Sequence, residues 1–470
     1  MQATTTAADE LPRHSPAFRM RRRANWIPLG VTYAAFYMGR YNFNVVKGDL
    51  GAFYHLDKAQ VGVIATAGFW TYALSVIVNG PLADRFGGRR AILVGGLGAM
   101  VMNAILGLLF LRGWATHLVL GMSILYAMNC YFQSFGAASV VKVNAAWFHV
   151  RERGVFGGIF GIMISSGYLL AFTLGGMVYG ASKKFFGVPE KATAATMKAA
   201  AFAPVFLVPA ALLLVMWLID LFLVRDTPKQ AGLTDIRTGD ASDVEVAPTE
   251  GDGYRSTTPP KNEPLDLTYV FHKVVMHPVI RVIAVAEFCT GFVRQGLLLY
   301  FIEFLVERHG QAPGSPVQWW TGLGITLGGI AGGLLCGVLS DKLFQSRRPP
   351  VAFLFYLGQI ASLVALRFMP NGASAGVMIG VSCMFIFGVH GMLSGTASMD
   401  FGGKKAAATA AGLLDGVQYL GSGLVGFGLG WLLDTYHWKI WPYALVPFSL
   451  AGAVLMLFLW NARPSRTTAH

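Results

Sequence analysis

Apolar stretches of about 20 residues recur along this chain, and each is long enough to cross the hydrocarbon core of a bilayer as one helix. Only 13% of the residues are charged, whereas soluble proteins carry about 25%. This combination argues against a water-soluble fold. The sequence predicts an all-α integral membrane protein with twelve transmembrane helices, near residues 26–46, 60–82, 91–111, 116–140, 155–180, 201–224, 279–306, 317–340, 350–369, 373–398, 406–433 and 441–461.

The positions of the lysines and arginines indicate how these helices are oriented. With the N-terminus placed in the cytoplasm, 25 of the 37 basic residues fall on the inner side, 10 fall on the outer side, and two lie within helices. Short cytoplasmic loops retain positive charge during insertion. We therefore expect a multi-pass protein of the inner (plasma) membrane with both termini in the cytoplasm. This topology explains the net charge of +13, so nucleic acid is not an expected partner.

One long polar interval divides the chain. It runs from residue 225 to about residue 277 and contains several prolines and an acidic run. We expect a cytoplasmic tail at 1–25, a six-helix half at 26–224, a cytoplasmic linker at 225–277, a second six-helix half at 278–462 and a cytoplasmic tail at 463–470. Similar motifs recur at corresponding positions of the two halves, which indicates an internal duplication. The sequence thus predicts two pseudo-symmetric halves around a central cavity.

A charged motif follows the second predicted helix and returns after the eighth. It contains Gly80, Asp84, Arg85 and Arg89, with Asp341 at the corresponding place in the second half. An aspartate in such a loop can cap a helix end and pair with an arginine across a helix–helix seam. We expect these residues to form a gate that holds two cytoplasmic helix ends in one conformation. A charge cluster that only sets the topology is the alternative.

Arg40 and Arg294 lie near the middle of the first and seventh predicted helices. An arginine at that depth costs at least about 2.5 kcal/mol by insertion scales, and its guanidinium does not lose its proton. An ion pair is the ordinary compensation, but the first helix has no acidic residue within reach, and Glu287 lies two helical turns from Arg294. We expect the two groups to face a central cavity and bind one anion, because paired N–H donors suit phosphate or carboxylate.

Other polar residues share the helix faces of these arginines. Tyr33 and Tyr37 precede Arg40 by seven and three positions, so their hydroxyl groups are expected beside it. Glu303 and Glu307, at the outer end of the seventh helix, are expected to be solvated. Helix–helix hydrogen bonding is an alternative role for each polar candidate. Asp415 and Glu287 are also candidate proton carriers, and the further candidates for substrate contact are Gln133, His390, Gln418 and Tyr419.

The predicted spans and the charged loop resemble the major facilitator superfamily over the whole chain. Within it, the sequence is similar to the organophosphate:phosphate antiporter family, which includes carriers of glycerol 3-phosphate and hexose phosphates. The resemblance implies that Arg40 and Arg294 bind a phosphoryl group. The similar segments are Tyr33 to Phe43, Arg225 to Pro228, Arg294 with Gly296, and Lys404 to Gly421.

The resemblance implies a secondary active transporter that exchanges a phosphorylated organic anion for inorganic phosphate by alternating access. A proton-coupled symporter of a carboxylate or sugar acid is one alternative, and a membrane sensor that binds a sugar phosphate is another. The sequence has no P-loop and no zinc-protease or serine-hydrolase motif, so we expect no enzyme activity, catalytic residue, cofactor or metal. We expect a monomer. Its expected partners are the lipid bilayer and a small anion.

Overall fold

The computed structural model describes residues 14–149, 153–189, 193–236, 276, 278–344, 347–396 and 412–461. These residues are helical apart from short turns and connecting segments, and the described part of the chain contains no β-strand. The helices are α1 (Pro16–Tyr54), α2 (Lys58–Phe86), α3 (Gly88–Leu111), α4 (Leu118–Gln133 and Phe135–Trp147), α5 (Arg153–Tyr168, a π-helical turn Leu169–Leu174 and Gly175–Phe185), α6 (Ala203–Leu223), α7 (Pro278–Glu303 with a π-helical turn Phe304–Arg308), α8 (Pro316–Phe344), α9 (Arg348–Leu366), α10 (Gly372–His390 with a π-helical turn Gly391–Thr396), α11 (412–424, a π-helical turn Val425–Leu429 and Gly430–Tyr436) and α12 (Trp441–Phe458).

Local sequence signals fix where several helices begin and end. Ser15 caps α1 by accepting a hydrogen bond from the backbone N–H of Phe18 at 3.1 Å. At the other end of α1, His55 adopts a left-handed conformation with φ of 56° and stops the helix. Asp57 then caps α2 in a capping box with Gln60, which satisfies two backbone N–H groups that a helix start leaves unpaired.

Among the described residues, ten helical segments are long and apolar enough to cross a membrane. The expected all-helical, multi-pass membrane protein is therefore confirmed. Two further long helical stretches, α1 and α11, are not among the ten. Both carry polar side chains in their central turns, including Arg40 and Asn42 in α1 and Asp415 in α11. These two less apolar helices carry Arg40 and Tyr419, whereas Arg294 lies in α7, which is one of the ten.

The helix contacts place α1, α7 and α11 between the other helices. In the first part of the chain, α2 packs against α4, α3 against α4 and α6, and α1 against α5 and α6. In the second part, α8 packs against α10, α9 against α10 and α12, and α7 against α12. The two groups of helices meet where α1 contacts α7, α2 contacts α11, and α5 contacts α8. Arg40, Arg294 and Tyr419 lie on helices of this meeting surface.

Glycines allow α2 and α11 to approach very closely. A Cβ atom on Gly62 would lie 1.9 Å from the backbone oxygen of Gly426, and one on Gly426 would lie 2.2 Å from the oxygen of Gly62. No side chain fits at either position without separating the helices. The seam between the two groups of helices is therefore closed backbone against backbone at this level.

Candidate functional site

Arg40 is fully buried in α1, and two of its nitrogens donate hydrogen bonds. Nε donates to Oε1 of Gln133 at 2.9 Å, and Nη1 donates to the hydroxyl oxygen of Tyr419 at 2.7 Å. The third nitrogen, Nη2, is also buried and has no hydrogen-bond partner among the described residues. Its two partners are neutral, so the positive charge of Arg40 is left without an acidic counterpart in these contacts.

Arg294 is 2% exposed and lies in α7. Its Nε and Nη2 atoms are buried and have no hydrogen-bond partner in the described part of the chain. These two nitrogens form one edge of the planar guanidinium, which is the edge that grips a phosphate or carboxylate with two parallel hydrogen bonds. The guanidinium carbon lies 5.1 Å from the centre of the Tyr419 ring. Both arginines therefore converge on Tyr419.

Aromatic rings surround the guanidinium of Arg40. Its central carbon lies 4.3 Å from the ring centre of Tyr72, 5.2 Å from that of Tyr37 and 5.9 Å from that of Tyr419. The negative faces of these rings offset part of the cost of burying the cation. Tyr33 packs against Tyr37 with a centroid distance of 5.5 Å, so it lies in the ring layer behind Tyr37. Tyr72 belongs to α2 and is a site residue that the sequence analysis missed.

A chain of amides holds Gln133 in position. Its Nε2 donates to Oδ1 of Asn129 at 2.9 Å, and the Asn129 amide donates to the backbone oxygen of Gly39 at 2.9 Å. Asn103 donates to the same Asn129 oxygen at 3.0 Å, and its own oxygen accepts from Asn42 at 2.7 Å. The network fixes the side chain that holds Arg40 Nε. Asn129 precedes Gln133 by one helical turn, and this spacing was the signal that could have predicted it.

A second polar cluster lies on α7, α10 and α11. Oε2 of Glu287 lies 3.3 Å from Nδ1 of His390, and Nε2 of Gln418 lies 2.7 Å from the same nitrogen. Oε1 of Glu287 and Oε1 of Gln418 are buried and unpartnered among the described residues. Asp415, one helical turn before Tyr419, is partly buried. Arg294 acts electrostatically on Glu287, His390 and Asp415.

At the C-terminal end of α7, the structure differs from the expectation that Glu303 and Glu307 are both solvated. Glu303 is 5% exposed and forms a buried ion pair with Lys47 of α1, so the prediction for Glu303 is wrong. A buried carboxylate needs such a partner because desolvation disfavours its charge. Glu307 is more exposed and accepts from Lys58 at 3.0 Å and from Nε1 of Trp438 at 2.9 Å. Polar contacts between the two groups of helices thus close this end of the site.

The predicted gate is described only in part, because the side chains of Asp84 and Asp341 and residues 397–411 lie outside the described chain. Gly80 lies in α2 with open space where a Cβ would stand, and Arg85 is exposed. The backbone N–H of Arg89 donates to Oδ1 of Asp226 at 2.7 Å.

The guanidinium of Arg89 donates to the backbone oxygen of Leu221 at 2.7 Å. Arg89 therefore ties the start of α3 to the end of α6, within the first group of helices. Gly87 makes this contact possible, because its φ of 90° and the closeness of Asp226 Oδ2 to any added Cβ both exclude a side chain.

No group of three or more histidine, cysteine, aspartate or glutamate side chains suited to a metal ion occurs among the described residues. Three buried donor nitrogens on two permanent cations have no hydrogen-bond partner among the described residues. Such a set of donors suits an anion.

Comparison with known proteins gives relatives along the whole chain. The chain is 27% identical to the glycerol-3-phosphate transporter of Bacillus subtilis, with 95% of this chain and 94% of that protein covered. It is 25% identical to a probable hexose phosphate transport protein of Chlamydia pneumoniae, with 93% and 90% covered. It is 26% identical to the membrane sensor protein UhpC of Escherichia coli, with 96% and 94% covered. The resemblance stated from sequence is confirmed by these relatives.

A solved structure and a family model agree on the fold. The crystal structure of a bacterial homologue of the human lysosomal transporter Spinster, in an inward-facing and occupied conformation, matches with a TM-score of 0.66 and 16% identity, covering 95% of this chain and 96% of that one. The model of the Major Facilitator Superfamily matches residues 29–426. The chain therefore belongs to the Major Facilitator Superfamily.

Proposed function

We propose that this protein is a secondary active transporter that carries a small phosphorylated organic anion across the membrane in exchange for inorganic phosphate. One observation carries the proposal. Two buried arginines, one from α1 and one from α7, converge on Tyr419 with three donor nitrogens that have no partner among the described residues. An unpartnered buried donor on a cation is costly, and an anion shared by both groups removes that cost.

Phosphate suits these donors better than a halide or a single carboxylate. Nε and Nη2 of Arg294 offer two parallel bonds, and Nη2 of Arg40 adds a third donor from the opposite group of helices. A phosphoryl group has three terminal oxygens and a charge near −2 that two guanidinium groups can balance. Two of the relatives are named for transport of glycerol 3-phosphate and hexose phosphate. Their names support a phosphate ester as the substrate of this chain.

The proposed architecture has twelve spans in two six-helix halves, residues 26–224 and 278–462, with both termini in the cytoplasm of an inner membrane. The helix contacts support this division, because α1 to α6 and α7 to α12 pack chiefly within their own groups. A substrate site between repeats at mid-depth is the usual place in secondary transporters. On this topology the Glu303 end of α7 faces outward.

Alternating access then requires the outward end to open. In the present conformation it is closed by the Lys47–Glu303 ion pair, by the Lys58–Glu307 ion pair and by Asp434, which accepts from the backbone N–H groups of Lys58 and Ala59 at 3.2 and 3.0 Å. All of these contacts join the first half to the second. Rocking of the halves about the arginine pair would break them together and expose the site to the outside.

Two alternatives rest on specific features. Asp415 and Glu287 lie within electrostatic range of Arg294, which supports a proton-coupled symporter of a carboxylate or sugar acid. The similarity to UhpC, a membrane sensor protein, supports a protein that binds a sugar phosphate and signals. The sensor would bind its ligand without turning over, and the symporter would depend on a pH gradient.

Counterflow separates these functions. The purified protein is reconstituted into liposomes loaded with unlabelled phosphate, and uptake of labelled phosphate is followed with and without external glycerol 3-phosphate. We expect rapid uptake that needs internal phosphate, is inhibited by the ester and is unchanged when the pH gradient is collapsed. Uptake no faster than in protein-free liposomes would refute the exchanger, and binding without uptake would favour the sensor.

A further inference from the structure

A cavity of about 370 Å³ opens where α9 and α11 end and α12 begins. Its volume lies within the range of small-molecule sites, about 300–1,000 Å³. The cavity combines two cations with aromatic and aliphatic side chains, and its lining residues are Arg367, Phe368, Tyr436, Lys439, Ile440 and Tyr443. None of these residues belongs to the arginine site described above.

Arg367 and Lys439 bring two positive charges to this cavity. Neither side chain has an ion pair or a hydrogen bond with another described residue. Asp434, the acid nearest to Lys439 along the chain, accepts instead from two backbone N–H groups at the start of α2. Two cations on one cavity repel each other, so an anion between them is favourable. On the topology proposed above, both lie on the outer side, where short loops carry few basic residues.

The turn between α11 and α12 fixes the position of Lys439. Trp438 is buried, and its indole N–H donates to a glutamate of α7 at 2.9 Å. Trp441 is also buried, and its indole N–H donates to a backbone oxygen of α7 at 2.9 Å. Between these anchors Lys439 is exposed, and it shares the cavity with Tyr436 and Tyr443. The cationic side of the turn is therefore preorganised, which lowers the entropy cost of binding.

The rim of the cavity has the character of a membrane interface. Phe368, Tyr436 and Tyr443 are all exposed, and exposed aromatic residues at the ends of transmembrane helices are typical of the headgroup level. From Tyr443 toward the membrane centre, exposed apolar side chains continue along one face of α12, at Leu450, Val454 and Leu457. The acyl chains of a lipid can lie along this stripe, whereas a free phosphate ester makes no use of it.

We propose that this cavity binds the headgroup phosphate of an anionic phospholipid, with Arg367 and Lys439 as its two cationic contacts. The aromatic rim then surrounds the headgroup, and the acyl chains lie on α12. Basic pockets between transmembrane helices bind anionic headgroups by the same chemistry. The site is separate from the arginine pair, so the inference does not depend on which anion the protein carries.

Lipid retention tests this site directly. The full-length protein in detergent is equilibrated with equal amounts of phosphatidylglycerol and phosphatidylcholine that carry different radiolabels, and gel filtration then removes the free micelles. The two lipids share the phosphate and the acyl chains but differ in net charge. The wild type should retain about one more phosphatidylglycerol molecule per chain than Arg367→Gln with Lys439→Gln. Equal phosphatidylglycerol retention would overturn the proposal, and so would an equal loss of both lipids.

Two further variants separate the cavity from general surface charge. Arg367→Lys with Lys439→Arg keeps both charges and should retain the wild-type amount of phosphatidylglycerol. Arg112→Gln with Lys184→Gln is the matched control, because it removes the same charge from exposed residues at the ends of α3 and α5. Retention in this control should equal that of the wild type. A loss as large as in the cavity variant would overturn the proposal. The single variants Arg367→Gln and Lys439→Gln should each retain less phosphatidylglycerol, and they decide the matter if the double variant does not fold.

Competition identifies the source of the bound phosphate. Retention of phosphatidylglycerol by the wild type is measured with millimolar inorganic phosphate and with sodium chloride at the same ionic strength. We expect equal retention in the two samples. Displacement by phosphate alone would identify a site for free phosphate and overturn the lipid assignment. The measurement contains no transport step, so a failure of phosphate counterflow would overturn the proposed exchanger and leave this site standing.

Discussion

The hydroxyl oxygen of Tyr419 accepts a hydrogen bond from Nη1 of Arg40 at 2.7 Å, although the two residues are 379 positions apart in the chain. The same ring lies 5.1 Å from the guanidinium of Arg294. Tyr419 of α11 therefore contacts a side chain of α1 and a side chain of α7 at the same time. A helix movement that separates the halves must break the Arg40 contact or carry Tyr419 along with Arg40.

Replacing either arginine with lysine should nearly abolish exchange. Arg294→Lys keeps the positive charge, but a point charge cannot make two parallel hydrogen bonds. Arg40→Lys also keeps the charge, but an ammonium group cannot replace the guanidinium that bonds Gln133 and Tyr419 and still offers Nη2 to an anion. Loss of two charge-assisted bonds costs about 3 kcal/mol, or about a hundredfold in affinity. Phosphate counterflow and size-exclusion profiles of both variants measure the effect and check folding. Wild-type substrate affinity in either well-folded variant would refute the anion site.

Tyr419→Phe isolates the hydroxyl group that joins the halves. The ring beside Arg294 stays, whereas Nη1 of Arg40 loses its acceptor. We expect phosphate binding to weaken by about 2 kcal/mol, or about thirtyfold. Tyr419→Leu removes the ring as well. This variant should bind phosphate more weakly still, because the cation–π contact with Arg294 is also lost. Equal affinities in the two variants would show that the ring contributes nothing.

The buried ion pair between Lys47 and Glu303 should be a conformational clamp. Lys47→Met leaves the Glu303 carboxylate buried without its partner, which typically costs 3 to 5 kcal/mol in such sites, so we expect a loss of about 3 kcal/mol in this conformation. The double variant Lys47→Met with Glu303→Met removes both charges and should regain much of the loss. Thermal unfolding of the wild type, of Lys47→Met and Glu303→Met alone and of the double variant gives the coupling. Additive losses would mean that the two residues act independently.

The close approach of α2 and α11 gives a sharper test of closure. Gly62→Val adds atoms where the backbone oxygen of Gly426 lies 1.9 Å from a Cβ, so this end of the site should be unable to close. We expect phosphate binding, measured as a thermal shift, to persist while counterflow falls at least about tenfold. Gly428→Ala, on the facing helix α11, is the control, because a Cβ there meets open space. Counterflow at the wild-type rate in Gly62→Val would show that the close approach of α2 and α11 is not needed for transport.

The arginine pair could be predicted from the sequence because a permanent charge inside an apolar run has few explanations. Tyr37 followed from its helical spacing to Arg40, and Tyr419 was among the further polar candidates. Tyr72 could not be predicted, since nothing in its neighbourhood on α2 distinguishes it from a core aromatic residue.

The Lys47–Glu303 pair was missed for a related reason. Periodicity assigns a residue to a helix face, but it does not say which distant helix packs on that face. Lys47 and Glu303 are 256 positions apart in the chain, and only the packing of α1 against α7 brings them together. The same limit applies to Arg89, whose partner Asp226 was recognised in sequence only as part of a motif at the exit of α6.

Asp415 should set the pH dependence of exchange. Its carboxyl group lies within electrostatic range of Arg294, Arg40, His390 and Glu287, and an ionised carboxylate there repels a bound phosphate ester. Affinity should therefore fall as rising pH ionises Asp415 in the bound state. Asp415→Asn resembles the protonated form at every pH, so we expect partly active exchange whose affinity no longer falls as the pH is raised from 6 to 8. Glu307→Gln, at the far end of α7, is the control and should keep the wild-type slope. Counterflow across this pH range measures both variants. A wild-type pH profile in Asp415→Asn would mean that Asp415 is a structural residue. It would also remove the best candidate for proton coupling.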